Sequence, residues 1–342
     1  MNLNWQAFDS KAGFRVILTI ALAVLFANWF GLAGPIIALA AVVISMADNH
    51  GPLRERVINL VVFTLLLSVI TALAWMVTGK MWPVVITISL VTLLSGFALF
   101  YGVQRAMEAS FLVIWLIILL PGIGSETLGG AVAATLVAGL FVIALVLVFA
   151  VIRSRRHPVA ATAPTETPAA EKKAVEKPRL SWKSPVTVYA VSKTVAAGLA
   201  TLIGWLLIGG HPFWATWAPL MIIKPSLHET ARKGVYRLTG TVLGALVGYL
   251  LITPISSTAI LAILYLVSIF LQFATTKIHY SLMIFFLTLE LVIAGALGGG
   301  IPLSLSLDRL VATIIGVIIS FVTVVILSHL MKPEAPGDSQ PA

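Results

Sequence analysis

The sequence predicts an all-α integral membrane protein with about twelve transmembrane helices, built as two parallel six-helix repeats around a pseudo-twofold axis along the membrane normal. Three observations carry this reading. Of 342 residues, 59% are hydrophobic and only 10% charged, and the mean hydropathy is +1.05; a soluble domain is near one-quarter charged. Apolar runs recur along the chain, many near the ~20 residues of a spanning helix. The second half also repeats the first at a shift of 178 residues. The composition excludes a soluble enzyme and a nucleic-acid-binding module. With no cysteine there is no disulfide framework, thiol nucleophile or thiolate metal site.

In chain order the apolar stretches fall near 14–30, 35–47, 57–77, 82–100, 107–122 and 129–152, then near 190–208, 212–223, 235–252, 257–275, 279–297 and 303–330. The chain therefore divides into a first repeat over 1–152, a linker over 153–185, a second repeat over 186–331 and a tail over 332–342. The linker, with its run HPVAATAPTETPAAEKKAVEKP, has a composition that cannot bury a core and reads as disordered. Segment 1 follows basic residues as a signal peptide would, but its counterpart, segment 7, marks it as a retained span.

The net charge of +9 is a topology signal that needs no nucleic acid. Alternating the segments across the bilayer puts 20 of the 22 Lys and Arg residues on one side, with Lys80 and Arg309 on the other. By the positive-inside rule both termini and the linker are cytoplasmic, as in a multi-pass protein of the bacterial inner membrane.

The repeat is sparse but in register. Arg15 falls on Lys193, His50 on His228, Arg54 on Arg232, Val57 on Val235, Leu60 on Leu238, Gly122 on Gly300 and Ala134-Thr135 on Ala312-Thr313. Six crossings per repeat insert both halves in one orientation, an arrangement found in transporters. The second segment of each repeat is short: one begins at Pro35 and meets Asp48, the other begins at Pro212 and meets Lys224-Pro225. About a dozen helical residues rise ~18 Å against a ~30 Å hydrocarbon core. These segments either continue with polar residues into water, are broken, or end early in a thinned bilayer. Paired short segments point to a transporter's substrate site.

Residues 211–251 contain Trp217-Ala218, an apolar run, a short polar break, and then Arg237, Gly240, Thr241 and Gly244 opening the next helix. This pattern resembles the fusaric-acid-resistance-like superfamily, which includes the bacterial aromatic acid exporters, and LDRLVATIIGVIISFV resembles its closing helix. The first half departs from the pattern, with Val57-Ile58-Asn59-Leu60 near the place of the Arg-x-x-Gly-Thr signature. The large cytoplasmic domain of the longer exporters is absent. The resemblance implies efflux of aromatic or other organic acids, often with a periplasmic adaptor of the membrane-fusion type. Plant malate channels, more distant relatives, are dimers of six-helix subunits, and this chain looks like such a pair fused.

Gly240, Gly244 and Gly248 form a small-residue ladder that permits close helix approach. Lys224, His228, Arg232, Lys233 and Arg237, with Arg54, Arg56 and His50, are positioned to line a cytoplasmic mouth. There they would draw a carboxylate by positive potential and bind it through Arg; the bland reading is loop charges that only fix topology. Trp214 and Trp217 are either a stacking platform for an aromatic ring or interfacial anchors. Glu290, inside FFLTLELVIAG, is a candidate proton carrier because an intramembrane carboxylate is functional by default; the competing expectation is a structural ion pair with Arg309. Asp308 adjoins it as a second coupling candidate. His211, Asn28, Asn59 and Gln272 read as helix–helix hydrogen bonds.

No H-E-x-x-H, phosphate-loop lysine motif or metal-spaced His set occurs, so neither an enzyme nor a cofactor is expected. The expected function is an exporter of aromatic or other organic acid anions, proton-coupled and working with the adaptor, in contact with membrane lipid and open to homo-oligomerisation. A passive organic-anion channel and a substrate-free scaffold for envelope assembly are the alternatives.

Overall fold

The computed structural model describes residues 4–29, 34–48, 51–121, 123, 126–156, 184–208 and 212–331. They form twelve α-helices and no strand: α1 Ser10–Trp29, α2 Gly34–Met46, α3 Leu53–Val77, α4 Met81–Phe97, α5 Val103–Leu119, α6 Leu128–Arg156, α7 Pro185–Leu207, α8 Trp217–Ile222, α9 Leu227–Ile252, α10 Thr258–Thr275, α11 Tyr280–Leu297 and α12 Pro302–Met331. Each apolar stretch of the sequence thus corresponds to one helix. His50, His211 and most of the linker and tail lie outside the described residues. Helix α6 runs four residues past the boundary expected at 152.

The twelve helices differ in length. Among the described residues nine helices are long and apolar enough to cross a membrane: α1, α3, α4, α6, α7 and α9 to α12. Helices α2, α5 and α8 have 13, 17 and 6 residues. In α5 the reason is Arg105 and Glu108 near its start, which shorten the apolar run. Segment 8 is broken: a 3-10 turn over Pro212–Thr216 leads into α8, and the chain turns extended at Ile223.

Local chemistry sets several boundaries. Helix α7 begins on Pro185, whose fixed φ suits a first turn. Helix α9 is capped by Ser226, whose Oγ accepts from the Glu229 amide at 3.3 Å, half of a capping box. Gly102, between α4 and α5, has φ +106, a conformation that side chains other than glycine's disfavour.

The small and polar residues face inward and large apolar ones face outward, the inversion expected where lipid is the solvent. Leu25, Leu94, Ile263 and Leu330 are exposed, while Thr71, Thr135, Thr241, Thr313 and Ser320 are buried. Within the first half α3 packs on α6, where Thr71 and Thr135 share a 3.0 Å hydrogen bond and Trp115 Nε1 donates to Thr71 at 2.9 Å. Within the second half α9 packs on α12, and Thr313 donates to Thr241 at 3.5 Å. The glycine ladder seats α9 on α11: a Cβ on Gly244 would lie 2.6 Å from the Phe285 carbonyl oxygen, and one on Gly240 would strike that of Ser281.

Two helix pairs carry the most extensive contact between the halves. Helix α4 packs on α7, with Gly96 against Ala190 and Gly198 against Ser89. Helix α1 packs on α10, with Gly13 against Phe270, Phe14 edge-on to Phe270 at 4.9 Å, and Lys277 Nζ 2.8 Å from Asp9.

Candidate functional site

The site is built around the broken segment 8. Thr216 Oγ1 meets Thr201 Oγ1 of α7 at 2.8 Å. On the other side Gly316 of α12 lets Ala215 and Ala218 approach until a Cβ would clash with both. This close seating brings α12 under the indoles. In a 3-10 turn residues i and i+3 eclipse, so Trp214 and Trp217, at the junction of the turn and α8, point the same way. Their rings stand 5.4 and 5.5 Å from the guanidinium carbon of Arg309.

Arg309 is 0% exposed, and its Nε, Nη1 and Nη2 all lack a hydrogen-bond acceptor. Arg237 of α9 is also 0% exposed; its Nη1 reaches Tyr280 Oη and Met221 Sδ, each at 3.3 Å, and its Nε and Nη2 have no acceptor. Arg309 feels Arg237 as a like charge and Glu290, beyond ion-pair distance, as an opposite one. Among the described residues no carboxylate lies within 4 Å of either. By helix rise, Arg237 lies ~15 Å in from the start of α9 and Arg309 ~10 Å in from the start of α12. The chain enters the bundle from opposite ends at these two points, so both arginines sit deep within it.

A cavity of about 230 Å³ lies at the seam of the halves, lined by both indoles and by neither arginine. Ile117, Ile118 and Pro121 of the first half and Phe213, Trp214, Trp217, Tyr265 and Glu290 of the second line it. The indoles therefore wall the cavity on one side and stand over Arg309 on the other. Glu290 is half-buried; its Oε2 is shut from solvent with no hydrogen-bond partner. The structure contains no hydrogen bond or ion pair between Glu290 and Arg309, so the structural pair is not formed. The indoles hold the guanidinium instead, and cation–π contact leaves its N–H groups unused. Asp308, one residue earlier on α12, is half-buried.

The expected mouth residues separate into two groups. His228, Arg232 and Arg54 are exposed at the basic end of the bundle. Lys224 is half-buried in the turn before α9, where its amide and carbonyl both bond Thr230 Oγ1, at 3.0 and 3.3 Å. Arg237, Trp214 and Trp217 belong to the inner site with Arg309 and Glu290. Sequence reasoning passed over Tyr265 and Tyr280, and it treated Lys193 as a topology marker. Read from residue 190, segment 7 has Lys193 close to its start; in the structure α7 begins at Pro185, which puts the lysine two turns into the helix.

The first half is different at the same registers. Asn59 stands where Arg237 does, Leu112 where Glu290 does and Ala131 where Arg309 does. Its polar groups close on themselves: Arg105 Nη1 donates to Asn59 Oδ1 at 2.6 Å and to Glu108 Oε2 at 2.7 Å, and Asn59 Nδ2 donates to Glu108 and to the Ala47 carbonyl at 3.2 and 3.1 Å. Asp48 and Arg56 form a two-point pair at 2.9 and 2.6 Å. Among the described residues, only the second-half cations are left without acceptors at this depth.

No solved structure matches the chain. An uncharacterized protein of Synechocystis sp. is 28% identical over 134 residues, which cover 39% of this chain and 18% of that protein's length. The chain is a multi-pass membrane protein by its apolar helices. Residues 199–323, the stretch that holds Trp214, Trp217, Arg237, Glu290 and Arg309, match the fusaric acid resistance protein-like family.

Proposed function

We propose that the protein carries aromatic or related organic acid anions out of the cytoplasm across the bacterial inner membrane. The observation that carries this reading is the pair of fully buried arginines with five guanidinium nitrogens lacking acceptors, beside an aromatic-walled cavity. A buried cation without a counter-ion costs several kcal/mol, and a carboxylate would satisfy both its charge and its forked donors. The cavity of about 230 Å³ lies below the ~300–1,000 Å³ of drug-sized ligand pockets, which favours a single-ring acid. Its ring would rest among Phe213, Trp214 and Trp217, and a swing of the indoles would open Arg309 to its carboxylate.

In this reading the basic end faces the cytoplasm and the twelve helices form two six-helix repeats. The matched seams α4–α7 and α1–α10, and the matched helix pairs α3–α6 and α9–α12, across which the register-equivalent Thr135 and Thr313 each bond a threonine, support that arrangement. Glu290 on the cavity wall is the proton carrier, and a periplasmic membrane-fusion adaptor receives the exported acid. The test is uptake of radiolabelled benzoate into inside-out membrane vesicles under an imposed proton gradient. Uptake that rises with the gradient and falls at least tenfold in Arg309→Gln supports the reading. Gradient-independent anion current would identify a channel instead.

A further inference from the structure

Lys193 is 1% exposed, nine residues into α7. Its Nζ donates to Ser110 Oγ of α5 at 3.0 Å and stands 5.6 Å from the centre of the Tyr189 ring. An ammonium carries three donors, and this one uses a single one. Among the described residues no carboxylate lies within 4 Å of it. Its neighbour in charge is Lys224, which repels it. Lys233 in turn faces Lys224 and Arg232 as like charges, with Glu229 the acid in reach. The packing places the three lysines along one region: Tyr189, under the Lys193 ammonium, packs on Ile222 and Ile223, which lead directly into Lys224, and Lys233 follows three residues after Thr230, whose hydroxyl bonds the Lys224 backbone.

Nothing in the repeat requires this burial. The counterpart of Lys193 in the first half is Arg15, and Arg15 is exposed. Desolvating a lone cation is costly, and the like charge of Lys224 adds to the cost. The trio also leads inward. Lys233 Nζ lies 5.2 Å from the centre of the Tyr280 ring, and the hydroxyl of the same tyrosine accepts from Arg237 Nη1 at 3.3 Å. One aromatic side chain therefore separates the ammonium cluster from the buried guanidinium groups.

We propose that Lys193, Lys224 and Lys233 form a first binding station for the organic carboxylate, at the basic end of the bundle and separated by Tyr280 from a second station at Arg237 and Arg309. The identity of the anion rests on the function proposed above; the station itself rests on the lysines. Ser110 orients the Lys193 ammonium, since its own hydroxyl proton is given to the Ala106 carbonyl at 2.7 Å. The two remaining Lys193 donors and the ammonium groups of Lys224 and Lys233 receive the carboxylate oxygens.

Equilibrium dialysis of radiolabelled benzoate against the full chain in lipid nanodiscs tests this. The wild type should bind two benzoates. Lys193→Gln, which keeps the length and a donor but removes the charge, should weaken one of them by roughly tenfold or more, and Lys193→Arg should restore it. Arg309→Gln should lose the other benzoate and keep the first. Two benzoates bound at wild-type affinity by Lys193→Gln overturn the station. So does an equal loss in Lys193→Arg, because a packing role would not be rescued by charge. A wild type that binds one benzoate, lost in Arg309→Gln, overturns the station while leaving the transport reading intact. Loss in Lys193→Gln with none in Arg309→Gln supports the station and removes the inner site. Should Lys193→Gln fail to fold, the double variant Lys224→Gln/Lys233→Gln at half-buried positions must show the same loss, and unchanged binding there overturns the proposal.

Discussion

Replacing Arg309 by Met should abolish anion transport without weakening the fold. Three of its guanidinium nitrogens are buried and without acceptors, and each unsatisfied donor costs about 1–3 kcal/mol. Against this stand the contacts of Trp214 and Trp217 at 5.4 and 5.5 Å, worth up to ~2 kcal/mol each in a desolvated setting. The balance runs from near zero to several kcal/mol against the arginine, so a methionine of similar length should leave the thermal unfolding midpoint of purified protein unchanged or higher. Loss of a charge-assisted contact of about 1.5–3 kcal/mol should weaken benzoate binding roughly tenfold to hundredfold. The assay pairs thermal unfolding in detergent with benzoate uptake into vesicles. A variant that unfolds well below wild type yet still takes up benzoate into vesicles would refute the reasoning, because Arg309 would then be a structural element.

Trp214→Leu and Trp217→Leu should each reduce transport of aromatic acids more than that of aliphatic acids of similar size; an equal reduction would count against ring stacking in the cavity. Gly244→Ala should lower stability by about 1–3 kcal/mol, because its Cβ would meet the Phe285 carbonyl oxygen at 2.6 Å; Gly129→Ala, with nothing within 4 Å, is the control, and thermal unfolding reads both. Because the chain has no cysteine, Arg232→Cys and Ile301→Cys can be labelled singly in intact cells. An impermeant thiol reagent should reach position 301 and not 232, and the reverse would invert the topology. Glu290→Gln should stop gradient-driven export while benzoate binding persists, and a variant that still concentrates substrate would remove the proton-carrier role.

What was legible in the sequence was what depends on local composition. Each apolar run marked a helix, although α9 begins at Leu227, ahead of the run expected from 235, and the Gly240–Gly244–Gly248 spacing marked a close helix contact that proves to be with α11. The repeat placed Thr135 and Thr313, and both bond across a helix pair. Hydropathy does not report helix rotation or pairing, and the inner site depends on both. Trp214 and Trp217 read equally well as interfacial anchors. Their place over Arg309 follows from the 3-10 turn and from Gly316, about 100 residues later, which admits segment 8 against α12. For the same reason a Glu290–Arg309 pair was plausible in sequence and is not formed. Lys193 resembled the topology-marking basic residues because nothing local shows that α5 covers it.

The unequal registers of the two halves bear on how such a protein evolves. In a homodimer of six-helix subunits every cation placed near the axis appears twice, so any new arginine there doubles its repulsion at once. Joining the halves in one reading frame removes that constraint. Asn59, Leu112 and Ala131 stand at the registers of Arg237, Glu290 and Arg309, so one lobe remains neutral while the other is charged. Two halves carried in one chain are free to differ at matched registers, and the buried Arg237 and Arg309 of the second half are the kind of specialisation that strict symmetry would forbid.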